Sequence, residues 1–210
     1  MSAMPVYRTY FEADNDAVTD HYEPIPEWLL KPGGFTADEF FRLPDLPRHT
    51  ELIDGGLVFV SPQGSRHFVA WTYLVEELRR ICPGTLRVRG DVGVQFSDPL
   101  VLYPDILLVQ AEAAADQGRN RFVPADLLLA VEVTSPGTHE RDRKLKTPTY
   151  AEAGIPHFWL VENEDGKVRV QVHELEPTTK SYRVTGVHQE RLTLSVPFAI
   201  DIDLTGLDRI

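Results

Sequence analysis

The sequence predicts an α/β fold in which helices flank a mixed central β-sheet, with additional antiparallel strands in its N- and C-terminal parts. Three observations carry this expectation. Two continuous apolar runs, Ile106-Leu107-Leu108-Val109 and Leu127-Leu128-Leu129-Ala130-Val131, have the length and composition of strands covered on both faces. Between about Arg66 and Ile81, the apolar residues Phe68, Trp71, Val75 and Leu78 recur at helical spacing. Beyond a further apolar strand, Phe158 to Val161, the chain alternates in period two to about Ile202. Turn signals at Asp165-Gly166 and Pro177 to Lys180 divide that stretch into antiparallel strands.

The elements follow in order. Residues 1–33 mix Asp, Glu and Pro with scattered aromatics and no sustained period, so they read as an irregular arm ahead of one domain, 34–210. Thr36 and Glu39 form a capping box, and Phe35 with Phe40 can staple a short helix from about Ala37 to Leu43, which Pro44 and Pro47 end. Glu51 to Val60 reads as a hairpin turning at Asp54-Gly55-Gly56. Ser65 caps the long helix and Pro83-Gly84 stops it. Leu86 and Val88, then Val92, Val94 and Phe96, mark half-buried strands. Ala111 to Pro124 is a polar loop between the two apolar strands, and a last helix extends from Ser135-Pro136-Gly137 to about Ala153, before Gly154 and Pro156.

Composition narrows the class. The 210 residues suit one domain, and 42% hydrophobic with 25% charged residues are the proportions of an ordinary globular protein. No apolar run approaches the ~18 residues of a membrane span, and no secretory leader is legible. A single cysteine, Cys82, excludes an internal disulfide framework, and a cytoplasmic location is the expectation. The net charge of −11 (21 basic minus 32 acidic residues) argues against a non-specific polyanion binder, whose phosphate contacts come chiefly from Lys and Arg.

Glu132 is the most informative position. It follows five apolar residues directly, and desolvating a carboxylate there costs several kcal/mol unless a partner compensates. It therefore lies at an emerging strand end, pairs with an arginine, or meets a cation. Pro104-Asp105 opens the other inner strand. If the two strands are antiparallel neighbours, the start of one lies beside the end of the other and the carboxylates can converge. Two such carboxylates are hard oxygen ligands suited to Mg²⁺ or Mn²⁺. An ammonium from the following helix, Lys146 or its rival Lys144, would complete the set by stabilising negative charge on a phosphate. No phosphate-binding glycine loop, nucleophile elbow or HExxH spacing occurs.

These residues resemble a known family. Tyr103-Pro104-Asp105, Glu132-Val133-Thr134-Ser135-Pro136, Arg141-Asp142 with Lys146, Tyr150-Ala151 and Gly154-Ile155-Pro156 look like the PD-(D/E)XK nuclease superfamily. More closely they resemble the bacterial Uma-type family, described as restriction endonucleases, whose pattern Glu51-Leu52-Ile53-Asp54-Gly55 and Phe158-Trp159-Leu160-Val161 also fit. The resemblance implies a restriction-endonuclease-like core of αβββαβ order, with Asp105 and Glu132 as metal ligands. The superfamily's usual lysine would fall at Thr134, whereas in the Uma-type family it lies on the next helix, where counting back from Tyr150 gives Lys146. Glu51 joins the catalytic set by the same resemblance, and His67 is a secondary candidate.

The resulting expectation is a Mg²⁺- or Mn²⁺-dependent endonuclease that hydrolyses DNA as a homodimer. The alternative is a catalytically inactive interaction module on the same scaffold. The acidic charge and the displaced lysine favour that alternative.

Overall fold

The structure is a computed structural model. It describes residues 31–60, 64–116, 118–134, 142–164 and 167–209. All but the last three residues of the expected N-terminal arm lie outside these, as do the Ser135-Pro136-Gly137 helix start and the Asp165-Gly166 turn. The chain order is α1 (Ala37–Phe40), β1 (Glu51–Ile53), β2 (Gly56–Val58), α2 (Ser65–Ile81), β3 (Leu86–Gly90), β4 (Gly93–Ser97), β5 (Leu100–Leu102) and β6 (Ile106–Gln110). There follow β7 (Arg121–Phe122), β8 (Leu127–Val133), a π-helical turn (Asp142–Lys146), α3 (Thr147–Glu152), β9 (His157–Glu164), β10 (Lys167–Glu176), β11 (Ser181–His188), β12 (Arg191–Leu194) and β13 (Ile200–Asp203). Short 3-10 turns cover Pro124–Asp126 and Leu204–Arg209.

The central sheet has six strands in the order β11-β10-β9-β8-β6-β3. It is mixed: β8 and β9 run parallel across the connection that holds α3, and the other neighbours are antiparallel. The two apolar runs are its inner strands β6 and β8, with Ile106 opposite Val131 and Leu108 opposite Leu129. Their residues divide by parity, because successive side chains on a strand point to opposite faces. Ile106, Leu108, Leu129, Val131 and Val133 pack with α2 residues Leu74, Val75 and Leu78 and with Ile200 and Ile202 of the β12–β13 ribbon. Leu107, Val109, Ala130, Phe158 and Leu160 pack on the other face with Tyr150 of α3 and with Val94 and Leu102 of a second sheet. That second sheet has the order β2-β1-β5-β4-β7. No helix among the described residues is long and apolar enough to cross a membrane.

Several local expectations are modified. The capping box is present, with Glu39 N–H donating to Thr36 Oγ1 and Thr36 N–H to Glu39 Oε2, but the helix stops at Phe40. The chain then continues in i→i+3 turns through Leu43, because a residue before proline disfavours the α region. The hairpin turns on Asp54 (φ 52) and Gly55 (φ 77), the left-handed pair a two-residue turn requires. Gly64, not Ser65, is the N-cap of α2, with no side-chain cap. The buried stripe of α2 is Ala70, Leu74, Val75 and Leu78, whereas Phe68 is 63% exposed. The loop Ala111 to Pro124 contains β7, which pairs with β4.

Candidate active site

At the end of the central ladder, β8 carries Glu132 out of its apolar run, and Asp105 stands one residue before β6. Ile106 opposes Val131, so Asp105 meets the end of β8, where its Oδ2 accepts the Val133 N–H at 2.7 Å. Its Oδ1 lies 3.1 Å from His67 Nε2, which donates to it from the first turn of α2. One turn later the Trp71 indole N–H donates to the Asp105 carbonyl at 2.9 Å. A Cβ added to Gly90, opposite Ile106, would come within 2.9 Å of the Trp71 ring, so glycine is what lets the indole settle there.

Glu132 shares its face with Ala130, and that face carries the π turn and α3. It is 2% exposed. Lys146 Nζ donates to its Oε2 at 2.9 Å, and Tyr150 Oη donates to its Oε1 at 2.5 Å. Lys146 and Tyr150 are four residues apart, which places both on one helix face. The same ammonium lies 3.2 Å from Oε1 of Glu51, which comes from β1 of the second sheet and also accepts the Tyr103 N–H at 3.3 Å. Glu51 is 1% and Lys146 4% exposed. Two carboxylates thus face one buried cation, an arrangement in which attraction must offset the desolvation of all three groups. Lys144, by contrast, is exposed.

Pro148 follows the wide π turn in the first turn of α3 and has no N–H for the Lys144 carbonyl. Thr149 Oγ1 takes up the neighbouring Leu145 carbonyl at 2.7 Å. The same turn carries Arg143, whose guanidinium donates to Glu162 on β9 at 2.6 Å. Glu162 is buried on the strand beside Glu132 and also accepts Arg169 (2.8 Å) and Gln171 (2.6 Å). The turn is therefore pinned to two adjacent strands by two ion pairs.

The structure brings Lys146, Glu51 and Glu132 into contact, and sets Asp105 at the adjoining strand end with His67. It turns the Asp105 carboxylate toward α2 and the Glu132 carboxylate toward the π turn. Among the described residues no group of three or more His, Cys, Asp or Glu side chains stands ready to hold a metal ion. Sequence reasoning quoted Tyr150 only as part of a motif and missed its contact with Glu132, although the i, i+4 spacing from Lys146 pointed to it. The Trp71 anchor has no signal in the sequence. Glu162 had one, since it too follows an apolar strand run.

The mixed sheet and its helices run in αβββαβ order (α2, β3, β6, β8, α3, β9), the restriction-endonuclease-like arrangement, and this is consistent with the PD-(D/E)XK superfamily. The family model Uma2, described as "Putative restriction endonuclease", matches residues 37–206, and the chain belongs to that family. A crystal structure of a "putative nuclease belonging to DUF820" from Anabaena variabilis superposes with a TM-score of 0.64 at 19% identity, covering 83% of this chain and 97% of that one. At that identity the likeness is one of fold. No curated protein matches the sequence. Family and fold together support a nuclease-like function.

Proposed function

We propose that the chain is a divalent-metal-dependent endonuclease that hydrolyses phosphodiester bonds in DNA. The observation that carries this reading is the buried cluster Glu51–Lys146–Glu132, closed by Tyr150, at the strand end where Asp105 also lies. Its donors are of the kind a hard cation takes: the carboxylates of Glu51 and Glu132 share the Lys146 ammonium, and that of Asp105 stands at the adjoining strand end on the α2 side. Asp105 and Glu132 would hold the ion, with Glu51 beside them. Bound there, Mg²⁺ or Mn²⁺ supplies Lewis-acid polarisation of the phosphate and a lower pKa for the attacking water.

The chain's own residues do the rest. Tyr150 fixes the Glu132 carboxylate, and His67 with the Val133 N–H fixes that of Asp105, so both are oriented before substrate arrives. Lys146 keeps a positive charge beside Glu132, where negative charge develops on the phosphate oxygens. A homodimer in the cytoplasm belongs to the same reading; exposed Val184 and Val187 on β11, an outer strand of the central sheet, support self-association.

The test is relaxation or linearisation of supercoiled plasmid with Mg²⁺ or Mn²⁺. Asp105→Ala, Glu132→Ala and Lys146→Ala are each expected to lower the cleavage rate at least 100-fold, on the order of what a lost charge-stabilising group costs. Unchanged cleavage by Asp105→Ala and Glu132→Ala would refute the reading. One observation favours a catalytically inactive module instead: the carboxylates are already engaged by Lys146, Tyr150 and His67 rather than grouped for a metal. Calorimetric titration with Mn²⁺ separates the two, since the module takes up none at millimolar concentration.

A further inference from the structure

Phe68 is the most exposed of the large hydrophobic residues described, at 63%. Burying a phenylalanine side chain stabilises a fold by about 1.5–3 kcal/mol, so its place on the surface of an otherwise amphipathic helix needs a reason. The ring is not isolated. It stacks against Trp71, with centroids 6.3 Å apart and planes inclined by 27°. Trp71 in turn is fixed by its indole N–H to the Asp105 carbonyl, and the residue preceding Phe68 is His67, which holds the Asp105 carboxylate. His67, Phe68 and Trp71 share one face at the start of α2. That first turn carries Arg66, which is exposed, and no acidic residue. A rigid aromatic pair with an open upper face therefore stands beside the candidate active site, tied to the backbone of Asp105.

We propose that Phe68, backed by Trp71, is a stacking platform for one unpaired nucleobase of the nucleic-acid strand whose phosphodiester lies at Asp105. This inference rests on the nuclease reading and narrows it to strands that are single or locally opened. A duplex keeps both faces of each base covered by its neighbours, whereas a strand with unstacked bases offers a π-face to any exposed ring. Stacking needs no particular base, so the platform selects strand state rather than sequence. An aromatic exposed for self-association would need no fixed partner beneath it; here the ring below is hydrogen-bonded to the backbone of a site residue.

The experiment measures binding of the full chain, in Ca²⁺ to suppress cleavage, to a short single-stranded oligodeoxynucleotide, to the same strand with abasic sites, and to its duplex. The wild type is expected to prefer the intact strand over the abasic strand by roughly 5- to 150-fold, the range that one base–aromatic stack contributes. Phe68→Ala and Phe68→Leu are expected to lose that preference, and Phe68→Trp to keep it. Because Phe68 is exposed, the melting profile of Phe68→Leu should match the wild type, which separates loss of stacking from loss of fold. The proposal is overturned if Phe68→Leu keeps the preference, if the wild type binds the duplex more tightly than the single strand, or if the only effect of the substitutions is on self-association in sedimentation. Plasmid cleavage by the wild type and Asp105→Ala is read alongside. Metal-dependent cutting without a base preference removes the platform and leaves the nuclease; neither cutting nor binding removes both.

Discussion

At the scale of single residues, the cluster around Lys146 sets the sharpest expectation. Removing one partner of a buried ion pair leaves the other charge uncompensated and costs about 3–5 kcal/mol, whereas replacing both partners can be nearly neutral. Lys146→Ala should therefore lower the unfolding free energy in urea by about 3–5 kcal/mol. The double variant Lys146→Met with Glu132→Gln should lose less than the single one. A single-variant loss below about 1 kcal/mol would mean that the three groups are not charged against one another in the folded protein. His173 gives a second expectation, in pH. It packs against Phe158 and Tyr182, and burial holds its imidazole below the ordinary value of 6.5, against the opposing hydrogen bond to the Gln171 carbonyl. The folded state favours the neutral ring, so the unfolded chain takes up protons first as pH falls. Stability is then complete above about pH 6.5 and declines below it. Melting temperatures at about pH 7.5 and pH 5 should show this decline, and His173→Phe should reduce it. Part will persist, because burial shifts His157 in the same direction.

At the scale of elements, what the sequence made legible and what it did not divide along physical lines. The inner strands β6 and β8 were readable because a strand covered on both faces cannot alternate, but burial alone does not fix their direction, and the antiparallel pairing is a tertiary fact of the fold. The Asp54-Gly55 hairpin was readable because only certain residues tolerate φ above zero in both turn positions. The face of α2 was misjudged at Phe68, since periodicity assigns an apolar residue to a stripe without saying whether a surface exists to cover it. The strand β7 is two residues long and held by pairing to β4, a tertiary effect with no local signature. The π turn was half legible: Pro148 announced a disturbed helix, but not that the widened turn would lower Lys146 onto Glu132. Asp105 and Glu132 were placed at one strand end by burial logic alone, while Glu51 and the preference for Lys146 over Lys144 came from resemblance. The orientation of each carboxylate lay beyond pattern, because hydrogen bonds to His67 and Tyr150 decide it.

At the scale of the whole molecule, the candidate site is a joint between two sheets. Glu51 comes from the second sheet, Glu132 from the central one, and Lys146 from the connection between β8 and β9. A ligand that binds this joint binds only the assembled fold, and it stabilises that fold by RT ln(1 + [L]/Kd). Mn²⁺ at a hundredfold excess over its dissociation constant should raise the unfolding free energy by about 2.7 kcal/mol. Glu132→Gln and Asp105→Ala should abolish that gain, as read by calorimetric melting with and without the ion. A gain that persists in both variants would place the cation elsewhere on this acidic surface.

The double anchorage of the π turn also sets a ruler along the chain. Arg143 reaches one strand, and Lys146 and Tyr150 its neighbour, at intervals of three and four residues. Inserting or deleting one residue between them would rotate everything downstream by about 100°, so whichever anchor was kept, the other would swing away from its carboxylate. Residue count between Arg143 and Tyr150 is thus as constrained as residue identity. A related chain can change letters in this stretch, but it cannot change length and keep both contacts.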